Sequence, residues 1–137
     1  MKASFDYMPI ETDEGTTYRP VIPVKVEYRG VSRVIYFLLD SGADFSVLTF
    51  EAAKSMGMEF DSGNKRKAKG VLQHSVDCVQ NKVKLSILPF WPDSFESSLY
   101  ASRELKPIHN LLGRDFFEKF TICFFQKSRK LCLEKNR

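Results

Sequence analysis

Two strand-patterned segments run into a single carboxylate. From Arg19 to Tyr28 the side chains alternate, with Val21, Pro23, Lys25 and Glu27 on one side and Ile22, Val24, Val26 and Tyr28 on the other. A period of two marks a strand with one apolar face. Pro23 has no N–H to give to a ladder, which places this strand at an edge or beside a bulge. Arg29-Gly30 supplies a turn, and Val34 to Leu39 follows as an unbroken apolar run, the pattern of a strand covered on both faces. The run ends on Asp40-Ser41-Gly42-Ala43-Asp44. A chain built this way is committed to a β fold that holds an acid at the end of a strand.

The rest of the chain continues in short segments. Thr49 suits a helix N-cap and Gly57 a C-cap, which predicts a short helix over Phe50–Met56. Residues 61–69 are polar and turn-rich and predict a loop. Val71–Val79 and Lys82–Leu88 predict two strands joined through Gln80-Asn81, and residues 89–106 a loop with one short strand near Leu99. Arg114–Phe120 suits a second short helix, and Thr121–Phe125 with Lys130–Leu133 a closing hairpin. Met1 to Thr17, with a turn at Glu11-Thr12-Asp13-Glu14-Gly15, predicts an ordered arm or edge strand. Many short strands with two short helices predict an all-β domain, closed or partly closed as a barrel. The 137 residues fit a single domain.

Composition narrows the function classes. Hydrophobic residues make up 43% of the chain and twelve are Phe, enough for an aromatic-rich core. The net charge of +4 is divided between Lys65-Arg66-Lys67-Ala68-Lys69 and the tail from Lys127 to Arg137. No stripe interleaves arginines with stacking aromatics, which argues against a nucleic-acid partner. Cys78, Cys123 and Cys132 are odd in number and lack metal-ligand spacing, which argues against a disulfide framework or a zinc site. Cys123 and Cys132 lie in apolar strand patterns and are expected as buried free thiols. His74 and His109 have no second donor at ligand spacing, and no metal or cofactor is expected. The N-terminus has no apolar signal core, and no run approaches the roughly 20 residues of a membrane span. The expected location is cytoplasmic.

Chemistry has a use for Asp-Ser-Gly at a strand end. A carboxylate there is rigid and partly desolvated. Two such groups brought together oppose each other's ionisation and share a proton, so one serves as base on a water while the other donates to a carbonyl. Gly42 lets the backbone turn tightly beneath the acid. Asp-Ser-Gly is also a common turn sequence, and Asp61-Ser62-Gly63 is a second copy in this chain. That copy has no apolar strand before it and is expected to be an ordinary loop.

A second motif separates the two copies. Leu38-Leu39-Asp40-Ser41-Gly42-Ala43-Asp44 followed downstream by Leu111-Leu112-Gly113-Arg114-Asp115 resembles the paired motifs of the retropepsin-like aspartic proteases, single-domain enzymes that include retroviral proteases and smaller prokaryotic relatives. Tyr18-Arg19-Pro20-Val21-Ile22-Pro23-Val24 is similar to the prokaryotic members. The resemblance spans roughly Tyr18 to Glu134, leaving 1–17 as an N-terminal arm and 18–137 as the protease domain. It implies an acid-protease barrel and an aspartic endopeptidase that is a homodimer, each chain giving Asp40 to one water-activating pair that cleaves a peptide or protein substrate. Ser41 would brace the two active-site loops, Gly42 would offer its carbonyl to substrate, and Ala43 would complete the loop. Asp44 would pair with Arg114, and Leu111, Leu112 and Gly113 would form the supporting second motif. The flap over the substrate would fall on Lys69 to Val76, with Gly70, Val71, Leu72 and Gln73 at its centre. Family flaps often carry several glycines, and this segment has only Gly70. An alternative follows from that departure: a dimer of the same fold, catalytically weak or inactive, that serves binding or assembly.

Overall fold

The computed structural model describes residues 2–69, 75–104 and 109–136. Eleven strands fall in chain order as β1 (Lys2–Asp6), β2 (Met8–Thr12), β3 (Gly15–Arg19), β4 (Val21–Tyr28), β5 (Val31–Leu39), β6 (Lys65–Lys69), β7 (Ser75–Ser86), β8 (Phe95–Ala101), β9 (Asn110–Leu112), β10 (Phe120–Phe125) and β11 (Lys130–Lys135). Two short helices, α1 (Phe50–Ser55) and α2 (Arg114–Phe117), interrupt them. The all-β class expected from the sequence is the one observed. Among the described residues the strands do not close into a barrel. They form a main sheet ordered β6-β7-β4-β5-β9 with β8 on β7, a sheet ordered β1-β11-β10, and the β2–β3 hairpin.

The main sheet grows from the β4–β5 hairpin, whose register runs from Val21↔Leu38 to Tyr28↔Val31. On β4, Ile22, Val24, Val26 and Tyr28 are buried and the alternate residues are more open. Pro23 lies beyond Lys25–Glu27, the stretch of β4 that pairs with β7. The apolar run of β5 is covered on one face only: Ile35, Phe37 and Leu39 are buried, while Val34 and Tyr36 are 53% and 52% exposed. β-branched and aromatic residues favour strands wherever they point, so an unbroken apolar run does not by itself mean burial on both faces.

Three further expectations need correction. Residues 65–69 form β6 rather than a loop, paired with β7 from Lys65↔Val79 to Lys69↔Ser75. β6 is the outer strand of its sheet, and a charged side-chain row is how an edge strand resists pairing with other chains. β7 runs unbroken through Gln80-Asn81, where the sequence suggested a joint. Asn81 is buried and pairs with Leu99 of β8, and its side-chain amide bonds to backbone: Oδ1 accepts from the Glu59 N–H (2.9 Å) and Nδ2 donates to the Glu59 carbonyl (2.8 Å). The region after β7 is also more ordered than expected, with one turn of 3-10 helix at Leu88–Phe90 and the full strand β8.

Phenylalanines knit the two sheets together. The Phe116 ring stacks on Phe120 at 4.9 Å, and Phe120 meets Phe95 at 5.6 Å and Phe90 at 5.5 Å. This cluster ties α2 and β10 to β8 and the 3-10 turn. Aromatic pairs at such spacings add about 0.5–1.5 kcal/mol beyond the area they bury. α2 is shorter than the predicted Arg114–Phe120 because Phe120 already belongs to β10. α1 begins as the sequence predicts, with the Thr49 hydroxyl accepting from the Ala52 N–H (3.2 Å). No helix among the described residues is long and apolar enough to cross a membrane.

Candidate active site

Asp40 sits where β5 ends, and a strand from the far part of the sequence fixes it there. β9 lies parallel to β5 in the register Phe37↔Asn110, Leu38↔Leu111 and Leu39↔Leu112. The Asp40 N–H donates to the Leu112 carbonyl (2.9 Å), and the Leu39 N–H to the Pro20 carbonyl (3.0 Å). The Ala43 N–H then closes a turn on the Asp40 carbonyl (3.2 Å), and Asp40 Oδ1 accepts from the Gly42 N–H (2.9 Å). One carboxylate oxygen thus holds the turn. Asp40 is half-buried, while Ser41 and Gly42 are exposed.

The loop beyond Asp44 threads between two strands. Val47 exchanges backbone hydrogen bonds with Leu111, both 2.9 Å. The Ser46 carbonyl accepts from the Tyr100 N–H (3.0 Å), and the Leu48 N–H donates to the Tyr100 carbonyl (2.9 Å). Val47, Cys78 and Tyr100 form a small buried cluster under this loop, with Phe45 and Leu111 packed against it.

The second motif is the clamp on that loop. A methyl group on Gly113 would lie 2.7 Å from the Ala43 carbonyl oxygen and 2.7 Å from the Phe45 carbonyl carbon and oxygen. Only a residue without a side chain fits so close to another backbone. The Arg114 N–H donates to the Ala43 carbonyl (2.8 Å). Asp44 and Arg114 form an ion pair. The two side chains are 70% and 63% exposed. Such a pair contributes about 0–1 kcal/mol, so its value lies in orienting the loop more than in stability.

Ser46, Asp115 and Asn110 escaped the sequence reading. The Ser46 hydroxyl donates to Asp115 Oδ1 (2.7 Å) and accepts from the Gly113 N–H (3.0 Å), and Asp115 Oδ2 accepts from the Ser46 N–H (3.1 Å). Asn110 accepts from the Thr49 N–H (2.8 Å) and donates to the Tyr36 carbonyl (3.2 Å). Asp115 stood within the quoted second motif, and that was the signal available for it. Ser46→Ala is expected to leave the buried Gly113 N–H unpaired and to cost about 1–3 kcal/mol, read as a lower denaturant midpoint. Unchanged stability would remove Ser46 from the clamp.

An open groove of about 700 Å³ flanks the site, lined by Asp44, Arg114 and Asp115 from the two motifs, by Phe45 and Glu118 beside them, and by Arg66 and Lys67 from β6. Arg66 lies over the Phe45 and Tyr100 rings at 5.7 and 5.9 Å and donates to the Tyr100 hydroxyl (3.3 Å). β6 and β7 pair antiparallel beside this groove. The expected flap residues Gly70, Val71, Leu72 and Gln73 lie outside the described residues, as does His74.

The second Asp-Ser-Gly is part of a surface clasp. Both Asp61 oxygens accept from Arg103 Nε at 2.8 Å, and the Arg103 guanidinium lies over the Phe60 ring at 4.7 Å. His109 borders an apolar groove with Met8, Ile10 and Tyr36. No three His, Cys, Asp or Glu side chains cluster as a metal site among the described residues. In the basic segments, Lys67 pairs with Asp77 (3.0 Å), Lys130 with Asp6 (3.4 Å) and Lys135 with Asp93 (3.3 Å).

An Asp-Ser-Gly turn at a strand end, pinned by a hydrophobic-Gly-Arg-Asp segment from a parallel neighbour, defines the lobe of an aspartic protease. The family model described as retroviral aspartyl protease matches residues 16–123, and the chain belongs to that family. Among solved structures it is similar to a retropepsin-like aspartic protease from Rickettsia conorii, with a TM-score of 0.59 and 18% identity over 97% of this chain and 92% of that one. It is also similar to the EIAV protease complexed with the inhibitor HBY-793, with a TM-score of 0.52 and 22% identity over 73% of this chain and 86% of that one. No curated protein matches the chain.

Proposed function

We propose that this chain is an aspartic endopeptidase that works as a homodimer, with Asp40 from each copy forming one catalytic pair. The observation that carries the reading is the state of Asp40. Its Oδ1 is held by the Gly42 N–H, and among the described residues nothing hydrogen-bonds to its second oxygen. A half-buried carboxylate with one oxygen anchored and the other open is placed to meet a water and a second carboxylate. Closed two-fold symmetry brings identical residues together on the axis, so one acid per chain is enough for a pair.

The chemistry then follows. The two carboxylates share one proton. The ionised member takes a proton from a water as that water attacks the scissile carbonyl carbon, and the protonated member donates to the carbonyl oxygen. Ser41 braces the two turns, Gly42 presents its carbonyl to the substrate backbone, and Asp44, held by Arg114, borders the substrate groove. No metal or cofactor takes part.

Cleavage of a peptide library, blocked by a transition-state-type inhibitor of aspartic proteases, is the expected result. Such inhibitors bind about a hundredfold or more tighter than substrate analogues because the site complements the transition state. A well-folded dimer that neither cleaves peptides nor binds the inhibitor would sink the endopeptidase reading.

A further inference from the structure

Cys123 and Cys132 face each other across the closing hairpin, directly opposite in the β10–β11 register. On the sheet ordered β1-β11-β10 they continue a row that starts with Ser4, which is opposite Cys132. Cys123 is exposed and Cys132 half-exposed, because the alternate residues Leu131 and Leu133 take the inward face. The sequence suggested buried thiols here; the strand phase turns both outward. The rows on either side are braced by ion pairs, Lys2 with Glu134 (4.0 Å) and Asp6 with Lys130 (3.4 Å).

The backbone spacing suits a covalent link. The Asn136 N–H donates to the Lys119 carbonyl (2.9 Å), one step beyond the Phe120↔Lys135 pair in the same register. Hydrogen-bonded and non-bonded pairs alternate along an antiparallel ladder. Counting back from that bond makes Cys123↔Cys132 a hydrogen-bonded pair, with Cα atoms about 5.5 Å apart. Disulfides span about 4.4–6.8 Å between Cα atoms, so the Cα spacing lies within reach of a disulfide. The hydrogen-bonded geometry keeps side chains farther apart than the alternative does, which strains the bond and makes it easy to reduce.

We propose that Cys123 and Cys132 are a redox modification site that reacts with a small-molecule disulfide such as glutathione disulfide to form a reversible cross-strand bond. The Cys123 thiolate, the more exposed, attacks one sulfur of the reagent, forming a mixed disulfide and releasing one small thiolate. The Cys132 thiolate then attacks the Cys123 sulfur, closes the Cys123–Cys132 bond and releases the second small thiolate. The protons lost by the two cysteines end on the two released thiols. The protein pair is oxidised by two electrons and the reagent is reduced by the same two. Cys78 stays out of this chemistry: it is fully buried, lies opposite Arg66 on β6, and burial pushes its thiol up to about 11.

The test needs no protease assay. The folded chain is treated with glutathione disulfide, blocked with an alkylating agent, and mapped by mass spectrometry without reduction. The expected product is a Cys123–Cys132 cross-linked peptide; the rapidly alkylated thiols of the folded protein fall from two to none, and dithiothreitol restores both. Cys132→Ser, an outward-facing change, is expected to stop at the glutathione mixed disulfide on Cys123. A wild-type chain that halts at that mixed disulfide, links Cys123 to Cys123 between two chains, or does not react would overturn the proposal.

Discussion

Asp40→Asn is expected to keep the fold and lose peptide cleavage by at least about a thousandfold, within the range for removing a general acid–base group. The fold survives because the structural work of Asp40 falls on one oxygen. Oδ1 accepts from the Gly42 N–H, and the carboxamide oxygen of Asn takes the same bond. The strand attachments use backbone, through the Asp40 N–H to Leu112 and the Leu39 N–H to Pro20. What Asn lacks is the ability to take and return a proton. Circular dichroism and thermal melting matched to wild type, beside absent cleavage, is the predicted pattern. Wild-type turnover in the folded variant would exclude Asp40 from the chemistry.

Gly113→Ala acts on the same site through packing. The added methyl meets three backbone atoms at 2.7 Å, all in the loop that carries Ala43 and Phe45. Backbone cannot swing aside as a side chain can, so β9 or the loop must shift. Overpacking of this kind costs about 1–3 kcal/mol, occasionally more, and the upper end corresponds to a melting temperature roughly 10 °C lower for a chain of this size. The shift also moves the Asp40 turn, whose N–H is bonded to Leu112 beside Gly113. Cleavage is therefore expected to fall even below the melting transition. A variant with wild-type melting and wild-type turnover would show that the second motif does not clamp the first.

The parts legible in the sequence are those written locally. The alternation over β4, the turn at Arg29-Gly30 and the Thr49 cap each depend on residues within a few positions of one another. The Asp40 turn and the second motif could be picked out because each is a contiguous word. Interactions that join distant segments left no local mark. Nothing in the residues around Ser46 marks a partner, and only the fold puts Asp115, 69 positions away, against its hydroxyl. Gln80-Asn81 resembled a break because two polar amides favour turns; pairing with Tyr100 and Leu99 of β8 keeps both in the strand, and the Asn81 amide is satisfied by the Glu59 backbone. Lys65-Arg66-Lys67 looked like loop because charge usually means solvent, and an edge strand is solvent-facing as well. Val34 and Tyr36 were assigned to the interior on hydrophobicity alone, although strand propensity and burial are separate properties.

The central claim is that Asp40 supplies half of a catalytic pair and a second copy supplies the rest. Wild-type and Asp40→Asn chains, unfolded together in equal amounts and refolded, test it most directly. Random pairing leaves about a quarter of the dimers with two aspartates. If only those are active, total cleavage falls to about a quarter of that of the same total amount of chain, all of it wild type. A fall to about half, proportional to the wild-type chains present, would mean that each chain carries a complete site and would contradict the account.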